Sequence, residues 1–462
     1  MIKQKAQVRA QKVVKTIVSP IERFLALETS GGILLVVCTV IAMFWANSQW
    51  AESYHDFIHF PLAIKIGDFV LEKSLHHWVN DGLMVVFFYV VGLEIKRELV
   101  AGELSTPKKA ALPMLAALGG MLVPAGIYAL FNVGGPGAHG WGIPMATDIA
   151  FAVGIVTMLN KKVPFSLKIF LLALAIVDDL GAVIVIATFY TEQISTHALG
   201  IAALAIALIS LLNLAGVRSF LIYILLSLVV WLGVLESGIH ATIAGVIIGF
   251  LTPIQPFTDK KTLLKSIDEL AEDLAKRIPN SNADALEKLE LTNEIKDELH
   301  SLGQNIRDIE SPLERLIHIF HPYVTFLIMP IFALVNAGVH IEHFNLADFF
   351  NQPVSVGVVL GLLLGKPIGV VLASIIAVKL NLGKLPNGAN WYQMACMGVL
   401  AGIGFTMALF VSGLAFKSPE LQMEAKLGIL IASLLATIVG AIMLLASKDV
   451  SPSENSPKSD DQ

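Results

Sequence analysis

The sequence predicts an all-α polytopic membrane protein of about twelve transmembrane helices. Three observations carry that expectation. The 462 residues are 55% hydrophobic and only 15% charged, with a mean hydropathy of +0.72, whereas soluble domains are about 25% charged. Apolar runs approaching the roughly 17–25 residues that span a bilayer recur along most of the chain. The basic residues also fall on one side. With the N-terminus cytoplasmic and the spans alternating, about 27 Lys and Arg lie inside, 4 outside and one within a span, as the positive-inside rule requires. The formal charge of −5 is concentrated in residues 259–315, which hold 14 acids and 9 bases. No basic face for nucleic acid remains.

The elements follow in order. Residues 1–30 form a cytoplasmic segment carrying Lys3, Lys5, Arg9, Lys12, Lys15 and Arg23. The first apolar run, Gly31 to Ala46, ends without a small-residue cleavage site and reads as a retained span. Residues 31–254 hold spans one to eight, at 31–46, 78–93, 111–131, 142–159, 165–190, 198–215, 220–235 and 239–254. Between the first two, residues 60–73 read as a periplasmic β-hairpin around Gly67-Asp68, with glycine at the first turn position as a type II′ turn prefers. Residues 255–316 form a charged cytoplasmic insert, read as a helical hairpin turning at Pro279-Asn280-Ser281-Asn282. Residues 317–446 supply spans nine to twelve, at 323–339, 354–380, 392–416 and 427–446, and 447–462 form a disordered cytoplasmic tail. Cys38 and Cys396 are far apart in apolar runs and suggest buried free thiols.

Four ionisable residues lie deep in these spans: Asp148, Asp178, Asp179 and Lys366. Asp178 and Asp179 sit about a dozen residues from either end of span five, so roughly 18 Å deep at 1.5 Å per residue. Lys366 is too central in span ten to reach the interface easily. A charge at bilayer depth costs at least about 2.5–3.5 kcal/mol. Such residues therefore need partners, a wet cavity or neutralisation. Adjacent carboxylates repel one another, which favours holding a proton or cation between them. Their oxygens suit a hard cation such as sodium. Competition between sodium and protons for Asp178 and Asp179 is the expected chemistry.

Span four is short and interrupted by Pro144 and Thr147-Asp148, and span eleven by Gly402-Ile403-Gly404. Both read as broken helices whose exposed ends carry partial charges. Asp148 suits facing helix N-termini and Lys366 facing C-termini. An intramembrane aspartyl protease is excluded by the Phe405 that follows Gly402-Ile403-Gly404, and needs no central lysine. A sodium-coupled solute symporter on a related fold is the alternative, and would need a larger wet cavity. The chain is expected to be a secondary transporter, not an enzyme, and to need no cofactor.

Several motifs together resemble the NhaA family of bacterial sodium/proton antiporters. They are Val91-Gly92-Leu93-Glu94-Ile95-Lys96-Arg97-Glu98-Leu99, Pro144-Met145-Ala146-Thr147-Asp148-Ile149-Ala150-Phe151, Ala175-Ile176-Val177-Asp178-Asp179-Leu180-Gly181-Ala182, Ser237-Gly238-Ile239-His240-Ala241-Thr242, Asn336-Ala337-Gly338-Val339, Gly365-Lys366-Pro367-Ile368-Gly369 and Gly402-Ile403-Gly404-Phe405-Thr406-Met407. The resemblance implies inverted repeats, spans three to five and ten to twelve, with broken spans 4 and 11 crossing, an architecture of which this family is itself a known example. It implies that Asp179 is the principal sodium ligand, that Asp178 shares the load and links to Lys366, and that Asp148 and Thr147 support the crossing. It further implies electrogenic exchange of Na+ or Li+ for H+, and a pH response involving Glu94 and Glu98. His240 matches a family histidine, with a satisfied structural histidine as the alternative reading; together with His318 and His321, whose imidazoles titrate near neutrality, it is a further candidate for the pH response. His318 and His321 lie where some members place a glutamate just ahead of the first histidine; here Ile317 stands there. A homodimer through the 60–73 hairpin and a bacterial inner-membrane location with both termini cytoplasmic complete the expectations.

Overall fold

A computed structural model of the chain describes residues 30–256, 264, 267, 268, 311–340, 349 and 351–447, apart from 68, 192, 193 and 218. The expected N-terminal segment, the hairpin within the insert and nearly all of the C-terminal tail lie outside the described residues.

Helix occupies every apolar run. In chain order the helices are α1 (Ser30–Ala46), α2 (Ala51–His59), α3 (Leu75–Trp78), α4 (Met84–Val100), α5 (Pro107–Asn132), α6 (Ile149–Met158), α7 (Phe165–Phe189), α8 (Thr196–Leu214), α9 (Phe220–Glu236), α10 (Thr242–Leu251), α11 (Pro312–Tyr323), α12 (Met329–Asn336), α13 (Pro353–Leu360), α14 (Lys366–Lys379), α15 (Trp391–Ala401), α16 (Phe405–Ala415) and α17 (Pro419–Ala446). A 3-10 segment, Ala138–Met145, leads toward α6, and single π-helical turns join α3 to α4, α11 to α12 and α13 to α14. Among the described residues seven helices are long and apolar enough to cross a membrane, or nine if each bent pair counts as one span. The chain is thus a multi-pass, all-α membrane protein.

Local chemistry sets several boundaries. α5, α11, α13 and α17 each open with proline in the first turn, where its missing N–H has no intrahelical partner to lose. Asn390 and Gln393 form a reciprocal capping box at the start of α15. After α1 the chain bends by 116° into α2. There the Tyr54 hydroxyl donates to Leu334 O at 2.9 Å and ties the short helix to α12. β1 (Pro61–Ile66) and β2 (Phe69–Ser74) pair antiparallel, with Ile66 opposite Phe69. The two-residue loop has Gly67 at φ +62°, as a primed hairpin turn demands.

α4 lies along α10, α8 along α9 and α1 along α12, while α5 packs on α7, α13 and, most extensively, α14. The α5–α14 crossing is a backbone contact. A Cβ built at Gly369 would fall on the Gly119 carbonyl, and one at Gly119 on the Gly369 carbonyl. Small residues allow such approach where helices have no hydrophobic drive to associate in lipid. Gly369→Ala is therefore expected to lower thermal stability by roughly 1–3 kcal/mol through overpacking. A melting curve in detergent checks this, and an unchanged midpoint would show that the crossing relaxes freely.

Candidate functional site

α7 carries Asp178 and Asp179 at its centre, and each is only 1% exposed. Both broken helices converge on this point. Residues 146–148 leave helical geometry between the 3-10 segment and α6, and 402–404 do so between α15 and α16, which meet at 46°. The breaks are stitched together. The Asp148 amide donates to Ile403 O at 2.7 Å, and the Thr147 hydroxyl lies 2.9 Å from Ala401 O.

Asp148 compensates the two helix N-termini that face each other here. Its Oδ1 accepts the Phe151 N–H at 3.0 Å, capping α6. Its Oδ2 accepts the Thr406 N–H at 3.2 Å and the Thr406 hydroxyl at 2.5 Å, at the start of α16. A carboxylate placed there meets both the orphan amides and the positive dipole ends. The C-terminal ends meet donors instead. Lys366 donates to the carbonyl of Met145, the last residue of the 3-10 segment. Thr147 serves Ala401, the last residue of α15.

Lys366 is fully buried, and its Nζ lies 2.7 Å from Asp178 Oδ2. Asp178, not Asp148, is its ion partner. The single hydroxyl proton of Thr147 has a second acceptor in the same Asp178 oxygen, at 2.9 Å. Three buried carboxylate oxygens have no hydrogen-bond partner, namely Asp178 Oδ1 and both oxygens of Asp179. Buried polar atoms are nearly always satisfied, so three orphans on adjacent carboxylates call for a proton, a cation or ordered water. Among the described residues no group of three or more His, Cys, Asp or Glu side chains is arranged to hold a resident metal.

Thr406 was not singled out from the sequence as a site residue. Only the Gly-Ile-Gly-Phe-Thr interruption hinted at it, and the fold alone shows it bonded twice to Asp148.

The five pH-response candidates do not come together. Glu94 lies on α4, whose neighbouring residues Val91 and Ile95 pack with Ala173 and Ile176 of α7. Glu98 is bound into its own loop, its Oε2 accepting the Glu103 N–H at 3.0 Å, with Arg97 at 3.6 Å. His240 instead lies 3.7 Å from Asp81 and 2.8 Å from the Thr242 hydroxyl, with its ring edge-on to Phe410. Asp81 precedes Glu94 by 13 residues, about 20 Å along a helix, so His240 belongs to the opposite end of that span. His318 and His321 are exposed on α11. Ile317 is buried against Leu93 and Leu313, so an apolar contact stands next to Glu94 in the chain.

Comparison with known proteins covers nearly the whole chain. The family model described as Na+/H+ antiporter 1 matches residues 22–444. A Na(+)/H(+) antiporter NhaA of Rhodopirellula baltica is 46% identical, over 92% of this chain and 93% of its own length. The NhaA 2 of Myxococcus xanthus is 47% identical, over 92% of this chain and 88% of its own. The NhaA of Acidithiobacillus ferrooxidans is 46% identical, over 92% of this chain and 97% of its own.

Proposed function

The chain belongs to the Na+/H+ antiporter 1 family, and we propose that it exchanges Na+ or Li+ for H+ across the bacterial inner membrane at Asp178 and Asp179. The observation that carries this is the set of three buried, unpartnered carboxylate oxygens. Sodium bound there is cargo. Asp179 offers two oxygens and Asp178 its Oδ1, while Asp178 Oδ2 is held by Lys366 and Thr147. In the proton-loaded half of the cycle the same carboxylates carry protons. The exchange is proposed to be electrogenic, with protons and sodium crossing in unequal number.

The arrangement supports alternating access around a fixed midplane site. Helix in each of the twelve apolar runs, with two broken helices crossing at the aspartates, supports twelve spans and inverted repeats over spans three to five and ten to twelve. Asp148 and Thr147 hold the crossing and do not take up cargo. Homodimerisation through the 60–73 hairpin, cytoplasmic termini and a pH response at the Glu94 end belong to the same proposal, with His240 acting separately beside Asp81.

Sodium-induced dequenching of a pH dye in proteoliposomes, between about pH 6 and 9 and with no organic solute present, tests the reading. Proton release on adding sodium is expected. No proton release, with sodium uptake that requires an organic solute, would favour a symporter. Shared carboxylates also make the sodium KM depend on pH. Each bound proton must leave before sodium enters, so KM falls as pH rises, by up to about tenfold per pH unit per proton displaced. It levels off once the pair is fully deprotonated, at a macroscopic value belonging to both residues. A KM that stays flat over that range would contradict a common site.

A further inference from the structure

We propose that α2 carries a binding site for a transition-metal ion of the Cu2+, Ni2+ or Zn2+ class at His55 and His59, separate from the sodium site. The two residues are four apart on the helix, so their side chains share one face. Their rings stack with centroids 4.1 Å apart.

The sequence of the helix sorts its faces. At about 100° per residue, Tyr54, Phe57 and Ile58 point one way, and Glu52, His55, Asp56 and His59 fall on the other side. The first set holds the helix to the protein. Tyr54 is buried, and its hydroxyl reaches the Leu334 and Val335 carbonyls of α12. Phe57 stacks on Trp45 at 5.4 Å. The second set is exposed at all four positions.

The surroundings of each ring sort its nitrogens. His59 Nδ1 lies 2.9 Å from the His55 carbonyl, one turn back. A carbonyl only accepts, so Nδ1 carries the proton and Nε2 keeps its lone pair. His55 Nδ1 faces the Asp56 carboxylate at 3.9 Å, which favours the same tautomer. Metal-bound histidines are held in this way, the far nitrogen donating to a carbonyl or carboxylate and the near one binding the ion. Here one ring has each kind of partner, and both Nε2 lone pairs are left for a shared ion.

The donor type selects the ion. Imidazole nitrogen suits Cu2+, Ni2+ and Zn2+, whereas Mg2+ and Ca2+ take oxygen. Among the described residues no third His, Cys, Asp or Glu side chain closes on the pair. Water therefore completes the coordination, and the ion exchanges with the medium. Bridging His55 and His59 staples one turn of a nine-residue helix, a length that is marginal on its own. A bound ion thus braces α2 and, through Tyr54, the end of α12.

Calorimetry on the full-length protein without an affinity tag, titrated in turn with Cu2+, Ni2+ and Mg2+, tests this. Cu2+ should bind more tightly than Ni2+, and Mg2+ should not bind. The second imidazole acts as an intramolecular ligand, so His55→Gln and His59→Gln should each weaken Cu2+ binding by roughly 100-fold. Both side chains are exposed, so the variants should fold as wild type does. Ni2+ should raise the melting midpoint of wild type and leave that of the double variant unchanged. Cu2+ affinity of the double variant within about threefold of wild type would overturn the proposal. A copper spin-resonance spectrum of wild type without two nitrogen ligands would overturn it as well.

Discussion

Asp179→Asn abolishes exchange and sodium binding while leaving the protein folded: this is the largest effect expected from any single conservative change. The amide keeps the size of the carboxyl group and removes its charge. Both Asp179 oxygens are buried without a hydrogen-bond partner, so no protein donor is orphaned by the substitution. What disappears is the anionic ligand. Sodium affinity should fall by more than roughly 100-fold, about 2.7 kcal/mol, which takes binding below detection. Stability should hold or rise, because an unpaired buried charge is replaced by a neutral group. Calorimetry with sodium, a thermal melt and dye dequenching are the three measurements. Substantial exchange by the mutant would remove Asp179 from the site. Asp178→Asn should be nearly as damaging to transport but costly to stability too, since it leaves Lys366 without its counter-ion.

Lys366→Ala should produce the largest loss of stability. Lys366 is among the largest fully buried side chains, and it holds Asp178 Oδ2 and the Met145 carbonyl together. Breaking a buried pair from one side costs about 3–5 kcal/mol, because the other charge is left uncompensated. The penalty should be greatest at alkaline pH, where Asp178 must carry its charge alone. It should shrink in acid, where the carboxyl takes a proton and needs no cation. Melts at about pH 6 and 8.5 would show the difference. Adding Asp178→Asn to Lys366→Ala should recover part of the loss, and the double-mutant cycle gives the coupling. Equal melting temperatures for wild type and Lys366→Ala at both pH values would mean that the pair contributes nothing.

Four buried charges were legible from sequence because a membrane makes them conspicuous. Ordinary spans are apolar, so Asp148, Asp178, Asp179 and Lys366 stand out against their runs without any knowledge of contacts. Broken helices were legible for a related reason, since Pro144, Thr147-Asp148 and Gly402-Ile403-Gly404 disrupt otherwise continuous patterns. Thr406 carried no such mark. A threonine in an apolar helix commonly bonds its own backbone, and only the crossing aims this one at Asp148. The π turn before Lys366 was equally invisible, because Gly-Leu-Leu-Leu-Gly has no composition peculiar to a π register.

The sequence by itself determined that this chain is a helical membrane protein with charges to neutralise at mid-depth, and which residue types do so. Hydropathy and charge act residue by residue, and the bilayer reads them independently of fold. Only the tertiary structure decided the pairings. Lys366 meets Asp178, a link that hydropathy and spacing leave open and that only the family resemblance implied, Ile317 closes on Leu93, and His240 faces Asp81 at the end of the span opposite to Glu94. Those choices depend on which helices touch and at what depth, and distances along the chain do not encode them. His240 precedes His318 by 78 residues, yet its place is set by the packing of α10 on α4.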